Sequence, residues 1–193
     1  INLLNKLENL NIYDNIYITY SNNKGMDIGG FITSYKKKIN LGINYNFILK
    51  LHTKTNDSWR FSLLYAILGN NKIIDISYNK IKQKNIGIVG SHSINYYGLK
   101  IQNYTKKYIK YFNIKKDFRS NFIAGTIFWI KGDILNFYLN DLELLDKIYD
   151  EFPYYYNGSL IREGGGEGLP HAFERLFGIF SENLGFEVHG LSK

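Results

Sequence analysis

Two protonatable side chains, His52 and Lys54, stand where a strand-like run of residues ends. Successive side chains of a strand point to opposite faces, so His52 and Lys54 share one face at the strand's carboxyl end, with Thr53 between them. Open α/β sheets bind ligands at that end of their strands. The preceding run, Asn46-Phe47-Ile48-Leu49, is mostly apolar, as in an inner strand. The pattern indicates a ligand site at residues 52–54, and the solvated start of a loop is the alternative interpretation.

A glycine-rich turn, Asn23-Lys24-Gly25-Met26-Asp27-Ile28-Gly29-Gly30, joins a predicted strand to a predicted helix at the same expected edge of the sheet. Glycines let the backbone approach a ligand, and the helix amino terminus offers N–H groups to an anion. Asp27 either faces the ligand or caps the helix, and a cap does not exclude ligand contact. The spacing matches neither the dinucleotide fingerprint nor a Walker loop.

Small residues interrupt a bulky predicted strand, Phe122–Ile130, at Ala124, Gly125 and Thr126. A gap of this kind usually means that another group packs close to the backbone. The sequence leaves open whether that group is a substrate or a neighbouring helix.

A helix is predicted from His171 to Phe180, with Pro170 suited to its first turn. Its polar face is expected to be solvated, as such faces commonly are. The apolar stripe consists of Phe173, Leu176, Phe177 and Phe180, and the polar face of His171, Glu174 and Arg175.

The segment before this helix carries two carboxylates, Glu163 and Glu167, and four glycines. Glycines on both sides of Glu167, directly before a helix amino terminus, are typical of a mobile loop. Such a loop can close a carboxylate over a ligand.

Strands alternate with helices along the chain, which predicts an α/β sandwich with a mainly parallel sheet. The length of 193 residues indicates a single domain, residues 1–193. Because a helix comes first, we expect the first strand of the fold to lie upstream of Ile1 or to be absent. The predicted strands are Ile16–Tyr20, Asn46–Leu49, Ile86–Val89 and Phe122–Ile130, and the predicted helices are Ile1–Leu10, Gly29–Lys38, Ser58–Leu68, Lys72–Lys84, Lys100–Phe112, two pieces within Asp133–Glu151, and His171–Phe180.

Composition excludes several classes of site. The chain has no cysteine, so disulfides and thiolate metal sites are excluded, and its four histidines are too scattered for a zinc signature. No apolar run approaches the ~20 residues that span a bilayer, and no charged-then-apolar leader opens the chain. We therefore expect a soluble, cytoplasmic domain.

The formal net charge of +7 predicts affinity for an anion. Lysines and tyrosines mix within Lys100 to Lys116, a pattern that can bind single-stranded nucleic acid. Because Ile, Asn, Lys and Tyr are all encoded by A- and T-rich codons, compositional bias explains the same pattern. We expect no nucleic-acid partner, and a non-enzymatic nucleic-acid-binding domain is the alternative function.

Six short motifs, in this order, resemble the rhamnan synthesis protein F family of glycosyltransferase-like proteins tied to rhamnose-containing polysaccharides. They span most of the chain, from about Asn22 to Phe177. The motifs are Asn23-x-Gly25-x-Asp27-Ile28-Gly29 with Phe31, Leu49-Lys50-Leu51-His52-Thr53-Lys54, Trp59-Arg60, Gly87-Ile88-Val89-Gly90, Ala124-Gly125-Thr126-Ile127-Phe128-Trp129 and His171-Ala172-Phe173-Glu174-Arg175-Leu176-Phe177.

The resemblance implies a GT-A-like nucleotide-binding α/β/α sandwich. It also implies transfer of a sugar, such as rhamnose, from a dTDP- or UDP-sugar to a glycan or another hydroxyl acceptor, with inversion. Glu167 is the expected base, with Glu163 in reserve, and Trp129 and Tyr155 are expected to face the acceptor. The expected nucleotide-sugar-binding residues are Asn23, Gly25, Asp27, His52, Thr53, Lys54, Arg60, Gly125, Thr126, His171 and Arg175.

The chain departs from the family's pattern in two ways. Glu167-Gly168-Leu169-Pro170 stands where the family carries an Asp-Gly-Thr stretch, and no Asp-x-Asp metal clamp is present. His52-Thr53-Lys54 occupies the clamp's place, so a cation of the protein can stabilise the departing diphosphate. No cofactor is firmly implied, and Asp27, Glu163 and Glu167 are the candidates to hold Mn²⁺ or Mg²⁺. A domain that binds the sugar nucleotide without turnover is a further alternative.

Overall fold

The computed structural model describes residues 16–53, 56–95, 103–115, 120–154 and 168–191. Seven helices and six strands lie in these ranges, so the predicted mixed α/β class is confirmed. In chain order they are α1 (Met26–Asn40), β1 (Phe47–Lys50), α2 (Asp57–Leu68), α3 (Asn71–Ile81), β2 (Ile86–Gly90), β3 (Ser93–Asn95), α4 (Asn103–Tyr111), β4 (Asn121–Ile123), β5 (Phe128–Lys131), α5 (Gly132–Leu139), α6 (Leu142–Asp150), α7 (Leu169–Asn183) and β6 (Glu187–Gly190).

The larger sheet is mixed, with the strand order β1-β5-β2-β6. Strand β5 runs antiparallel to both β1 and β2, and only β2 and β6 pair in parallel. The prediction of a mainly parallel sheet is therefore wrong for the described strands. Alternating strands and helices predict parallel pairing only where each connection crosses over through a helix. Strand β5 instead follows β4 by a tight turn, and β4 pairs antiparallel with β3 in a separate two-stranded sheet.

The tight turn corrects a second prediction, because the expected single strand Phe122–Ile130 is two short strands. Gly125 has a φ of +84° and Thr126 a φ of +54°. Positive φ ends a strand, and it is unusual for a β-branched residue such as threonine. A Cβ on Gly125 would lie 2.6 Å from Cδ1 of Leu63, so the group that packs against this gap is helix α2.

The predicted strand Ile16–Tyr20 is not formed. Its apolar side chains are largely exposed, and 88% of Tyr20 is accessible to solvent. β-branched and aromatic residues favour strands mainly through packing against cross-strand neighbours, which this segment lacks among the described residues. The predicted first helix, Ile1–Leu10, lies outside the described residues.

Helices cover both faces of the four-stranded sheet. On one face, Phe128 and Ile130 of β5 pack in the main core with the stripe of α7, whose Phe173, Leu176, Phe177 and Phe180 are all buried as predicted. On the other face, Trp129 packs with Ile81 of α3. Pro170 lies in the first turn of α7, also as predicted. Among the described helices, none combines the length and the apolar character that crossing a membrane requires.

Candidate functional site

A cavity of about 600 Å³ lies between helix α1 and strand β1. Its volume is in the range of sites for small molecules and cofactors, ~300–1,000 Å³. Helix α1 contributes one wall, and β1 with the residues after it contributes the other. The lining residues are Thr19, Ser21, Asp27, Gly30, Phe31, Ser34, Tyr35, Lys38, Tyr45 and residues 48–53.

Asp27 enters the cavity from the first turn of α1. Gly25 takes the N-cap position with a φ of +69°, and the helix has no side-chain cap. A Cβ on Gly25 would lie 2.5 Å from the Phe152 ring, so this turn is fixed by close packing as well as by its conformation. The capping hypothesis for Asp27 is therefore wrong. Its carboxylate turns toward β1 and the β4–β5 turn.

Lys50, the last residue of β1, forms a buried ion pair with Asp27. Its Nζ atom donates to Oδ2 of Asp27 over 2.5 Å and to the Thr126 carbonyl over 3.0 Å. Only 5% of Lys50 is exposed. Lys50 was not among the predicted site residues, although it shares the strand parity of His52 and Lys54. The two-residue periodicity of the strand therefore places Lys50 on the same face as His52 and Lys54, which could have identified it as a site residue.

His52 makes hydrogen bonds through both ring nitrogens. Nε2 lies 2.7 Å from the Gly125 carbonyl and 3.0 Å from Oγ1 of Thr126, and Nδ1 lies 2.7 Å from the Thr53 carbonyl. The Thr126 hydroxyl donates to Oδ2 of Asp27 over 2.6 Å, so it accepts from His52. A neutral imidazole has one N–H and would turn a lone pair toward one of these carbonyls. The geometry therefore suits the doubly protonated imidazolium.

The surroundings of Asp27 favour its ionised form. Burial by itself raises the pKa of Asp27, but the charges of Lys50 and His52 and the hydrogen bonds from Lys50 and Thr126 outweigh burial and lower the pKa below its ordinary value of 3.8. The cluster thus combines a carboxylate, an ammonium group and an imidazole. With the imidazole protonated, its excess positive charge at the carboxyl end of β1 is suited to an anionic ligand.

The β4–β5 turn is held from behind by helix α7. Oε1 of Glu174 accepts the Gly125 N–H over 2.6 Å, and the Glu174 side chain is only 18% exposed. The Arg175 guanidinium donates to the His171 carbonyl over 2.6 Å and lies over the Phe122 ring. The interpretation of this helix face as solvated is therefore wrong. Glu174 was not predicted as a site residue, because the helical pattern of a sequence does not show which loop the polar face of the helix will contact.

The other predicted site residues do not all lie at the cavity. Thr53 lines the cavity, whereas Asn23, His171 and Arg175 do not. Arg60 lies on α2 and pairs with Asp57 over 2.8 Å. The ring centre of Trp129 lies 6.0 Å from that of Tyr78 beside a hydrophobic cluster, so these contacts of Trp129 are packing contacts. Lys54, Tyr155, Glu163 and Glu167 lie outside the described residues.

A divalent cation does not fit Asp27 as the structure arranges it. Oδ2 of Asp27 already binds Lys50 and Thr126, with His52 Nε2 at 3.6 Å. A metal ion bound at Oδ2 would have to displace the buried ammonium group. Across the part of the chain that the structure describes, no group of three His, Asp or Glu side chains is placed to hold a metal.

Comparisons of this chain with protein-family models, curated proteins and solved structures found no match. The resemblance to the rhamnan synthesis protein F family therefore rests on the six sequence motifs. Four of the residues those motifs contain, Asp27, Lys50, His52 and Thr126, meet in one hydrogen-bonded cluster beside the cavity.

Proposed function

We propose that this domain is a glycosyltransferase of the GT-A type that binds a nucleotide diphosphate sugar in the cavity beside α1. The observation that carries the proposal is the cluster of Asp27, Lys50, His52 and Thr126, drawn from three separate motifs of the resemblance. The cluster brings Lys50 and His52 together at the carboxyl end of a strand, where open α/β sheets bind ligands. The cavity volume of about 600 Å³ is adequate for a ligand of this size.

In this proposal a protonated His52 attracts the diphosphate through its charge, because both of its ring nitrogens already bond to protein groups. Lys50 is held by Asp27 and the Thr126 carbonyl, so it contributes charge and fixes Asp27. His52 stands beside this pair at the cavity wall. As the bond between sugar and diphosphate breaks, negative charge develops on the leaving oxygens, and a preorganised cation stabilises that charge. Lys54 is expected to add a second cation.

The acceptor hydroxyl needs a base before it can attack the anomeric carbon. We assign this role to Glu167, with Glu163 in reserve, on the resemblance and the glycine-rich sequence. Transfer would then take one displacement, with the proton passing to the carboxylate and the nucleoside diphosphate leaving. A single displacement inverts the configuration of the sugar.

The nucleic-acid-binding alternative receives less support from helix α4. Tyr108 is 2% exposed and donates its hydroxyl to Glu151, so its ring is not available for stacking on a base. Lys107 pairs with the same carboxylate over 2.5 Å. Stacking requires an accessible ring, and Tyr108 of this stretch is buried instead.

We expect His52→Gln to weaken binding of UDP or dTDP by about fivefold, the effect of losing about 1 kcal/mol of attraction to a nearby positive charge. Binding of the free nucleoside should change little, because the nucleoside has no phosphate. Lys54→Ala should show the same difference between the two ligands. Calorimetry on folded variants measures both affinities, with His92→Gln as the matched control, since His92 is exposed and outside the cavity lining. Equal losses for nucleotide and nucleoside would place His52 away from the phosphates.

Donor binding is expected to survive EDTA at least in part, because Lys50 already occupies the carboxylate of Asp27. A thermal-shift series with UDP- and dTDP-sugars, with and without EDTA, measures this. A ligand at 100 times its dissociation constant raises the free energy of unfolding by about 2.7 kcal/mol, which such a series resolves. Complete loss of binding in EDTA, restored by Mn²⁺, would contradict the metal-free proposal and make Asp27 a candidate ligand.

A further inference from the structure

Lys38, near the carboxyl end of helix α1, is a buried cation at the opposite end of the cavity from Asp27. Only 9% of Lys38 is exposed. Its Nζ atom donates to Oδ1 of Asn136 over 2.6 Å, is 3.4 Å from Oδ1 of Asn44, and lies 4.9 Å from the centre of the Tyr35 ring. These partners are neutral. Within the described ranges, no carboxylate lies at ion-pair distance from Lys38.

This arrangement is energetically unfavourable unless something else supplies negative charge. Burying a charge is costly even when neutral groups satisfy its hydrogen bonds. Burial lowers the pKa of Lys38 below its ordinary value, the expected response of an ammonium group that lacks a counter-charge. The carboxyl end of α1 supplies a partial negative charge, which compensates only in part. Lys50 differs, since Asp27 neutralises it directly.

The surroundings of Lys38 supply further hydrogen-bond donors. Ser34 and Thr19 line the same cavity, and their hydroxyl oxygens lie 3.1 Å apart. One hydroxyl donates to the other, so the second proton of the pair is directed elsewhere. Lys38 follows Asp27 by eleven residues, which corresponds to about 16 Å along a helix. The two charged groups are therefore separate sites within one cavity.

We propose that Lys38, together with the hydroxyls of Thr19 and Ser34, forms an anion subsite that takes a phosphate or carboxylate group. An anion there supplies the missing counter-charge and accepts hydrogen bonds from the ammonium and a hydroxyl. Two sources carry this chemistry: a phosphate of a nucleotide, or the carboxylate of an acidic sugar. The inference rests on the cavity and its charges alone and does not depend on sugar transfer.

The direct test is binding of inorganic pyrophosphate and of glucuronate to the folded chain, measured by calorimetry. We expect the wild-type chain to bind at least one of them, and Lys38→Met to weaken that binding by about 10-fold or more, the effect of losing a charge-assisted hydrogen bond. Lys72→Met is the control, because Lys72 is exposed on helix α3 and lines neither this cavity nor the pocket next to it. Its affinities should stay within about threefold of wild type, as expected for an exposed charge. Preference for pyrophosphate points to a phosphate source, and preference for glucuronate to an acidic sugar.

The melting temperatures of the same variants give a second, independent measurement. Methionine has nearly the shape of lysine without its charge, and Asn136 keeps the hydrogen bond from the Tyr35 hydroxyl. Lys38→Met should therefore keep or raise the melting temperature, because it removes a buried charge that no carboxylate pairs. Lys38→Gln is the second variant if the methionine protein does not fold. Failure of the wild-type chain to bind either anion, or undiminished binding by the folded Lys38 variant, would overturn the proposal. Anion binding that depends on Lys38, without any binding of nucleotide sugars, would support this subsite and reject the proposed transferase function.

Discussion

Asp27→Asn is expected to lower the free energy of unfolding by about 3–5 kcal/mol, the cost of removing one partner from a buried ion pair. Asp27 is 16% exposed at its side chain and Lys50 3%, so the ammonium left behind cannot recover its hydration. The Thr126 hydroxyl and His52 lose a charged partner at the same time. Chemical denaturation of the wild-type and variant chains measures the difference.

Three comparisons separate the contribution of the buried pair from that of ordinary surface charge. Asp146→Asn breaks the pair with Lys36, in which the aspartate is 57% exposed, and should cost less than about 1 kcal/mol. Lys50→Met should cost less than Asp27→Asn, because His52 remains beside Asp27. The double variant Asp27→Asn with Lys50→Met should be more stable than the sum of the two single losses predicts. If Asp27→Asn lowered the free energy of unfolding by no more than Asp146→Asn does, the Asp27–Lys50 pair would not be a major stabilising element.

The pH dependence of this loss has a definite sign. The pKa of Asp27 is lowered in the folded chain, so its stabilising contribution is complete above the ordinary value of 3.8 and disappears as the pH falls through the lower folded value. The difference between wild type and Asp27→Asn should therefore be constant from neutral pH down to about pH 5 and shrink below pH 4. Below its lowered folded pKa the carboxylate is protonated, and it then resembles the amide of the variant.

Glu167→Gln is expected to lower the rate of sugar transfer by ~10²–10⁴-fold, the range typical of a lost general base. Glutamine cannot take the acceptor's proton, but it preserves the size and hydrogen-bonding capacity of the side chain. The fold and the donor affinity should therefore be unchanged. Single-turnover transfer or donor hydrolysis, with affinity measured separately, distinguishes a slower chemical step from weaker binding.

Glu174→Gln is the matched control substitution, and we expect it to lower the rate of sugar transfer much less. The glutamine carbonyl can still accept the Gly125 N–H that Glu174 now binds. Replacing a charged acceptor by a neutral one costs about 1 kcal/mol, or about fivefold. If Glu167→Gln transferred sugar at the wild-type rate and Glu174→Gln lost most of its transfer rate, the base would have been assigned to the wrong carboxylate.

Sequence periodicity predicted the positions of most helices and of the buried strands. The segments predicted as Ser58–Leu68 and Lys72–Lys84 are α2 and α3, and Ile86–Val89 is β2, with ends that differ by a few residues. These elements bury one face or two, so the pattern of apolar residues follows directly from burial. The prediction failed for Ile16–Tyr20, because β propensity does not by itself supply a pairing partner.

The candidate site was predictable in part for a similar reason. Asp27 and His52 were predicted because polar groups stand where a helix begins and a strand ends. Gly125 and Thr126 were predicted because small residues interrupt a bulky run. Lys50 and Glu174 were missed, because their roles depend on tertiary contacts with Asp27 and with the Gly125 N–H. The antiparallel direction of β5 was not predicted either, because the positive φ of Thr126 is not evident from its residue type.

The backbone at Gly125 is fixed by three separate parts of the molecule. Its carbonyl accepts from His52, its N–H donates to Glu174, and its Cα faces Leu63 with no room for a side chain. Any side chain here would disturb all three neighbours together. Helices α2 and α7 and His52, the second residue after β1, are therefore linked at this one backbone position. A shift of either helix is expected to reach the ring of His52 through Gly125.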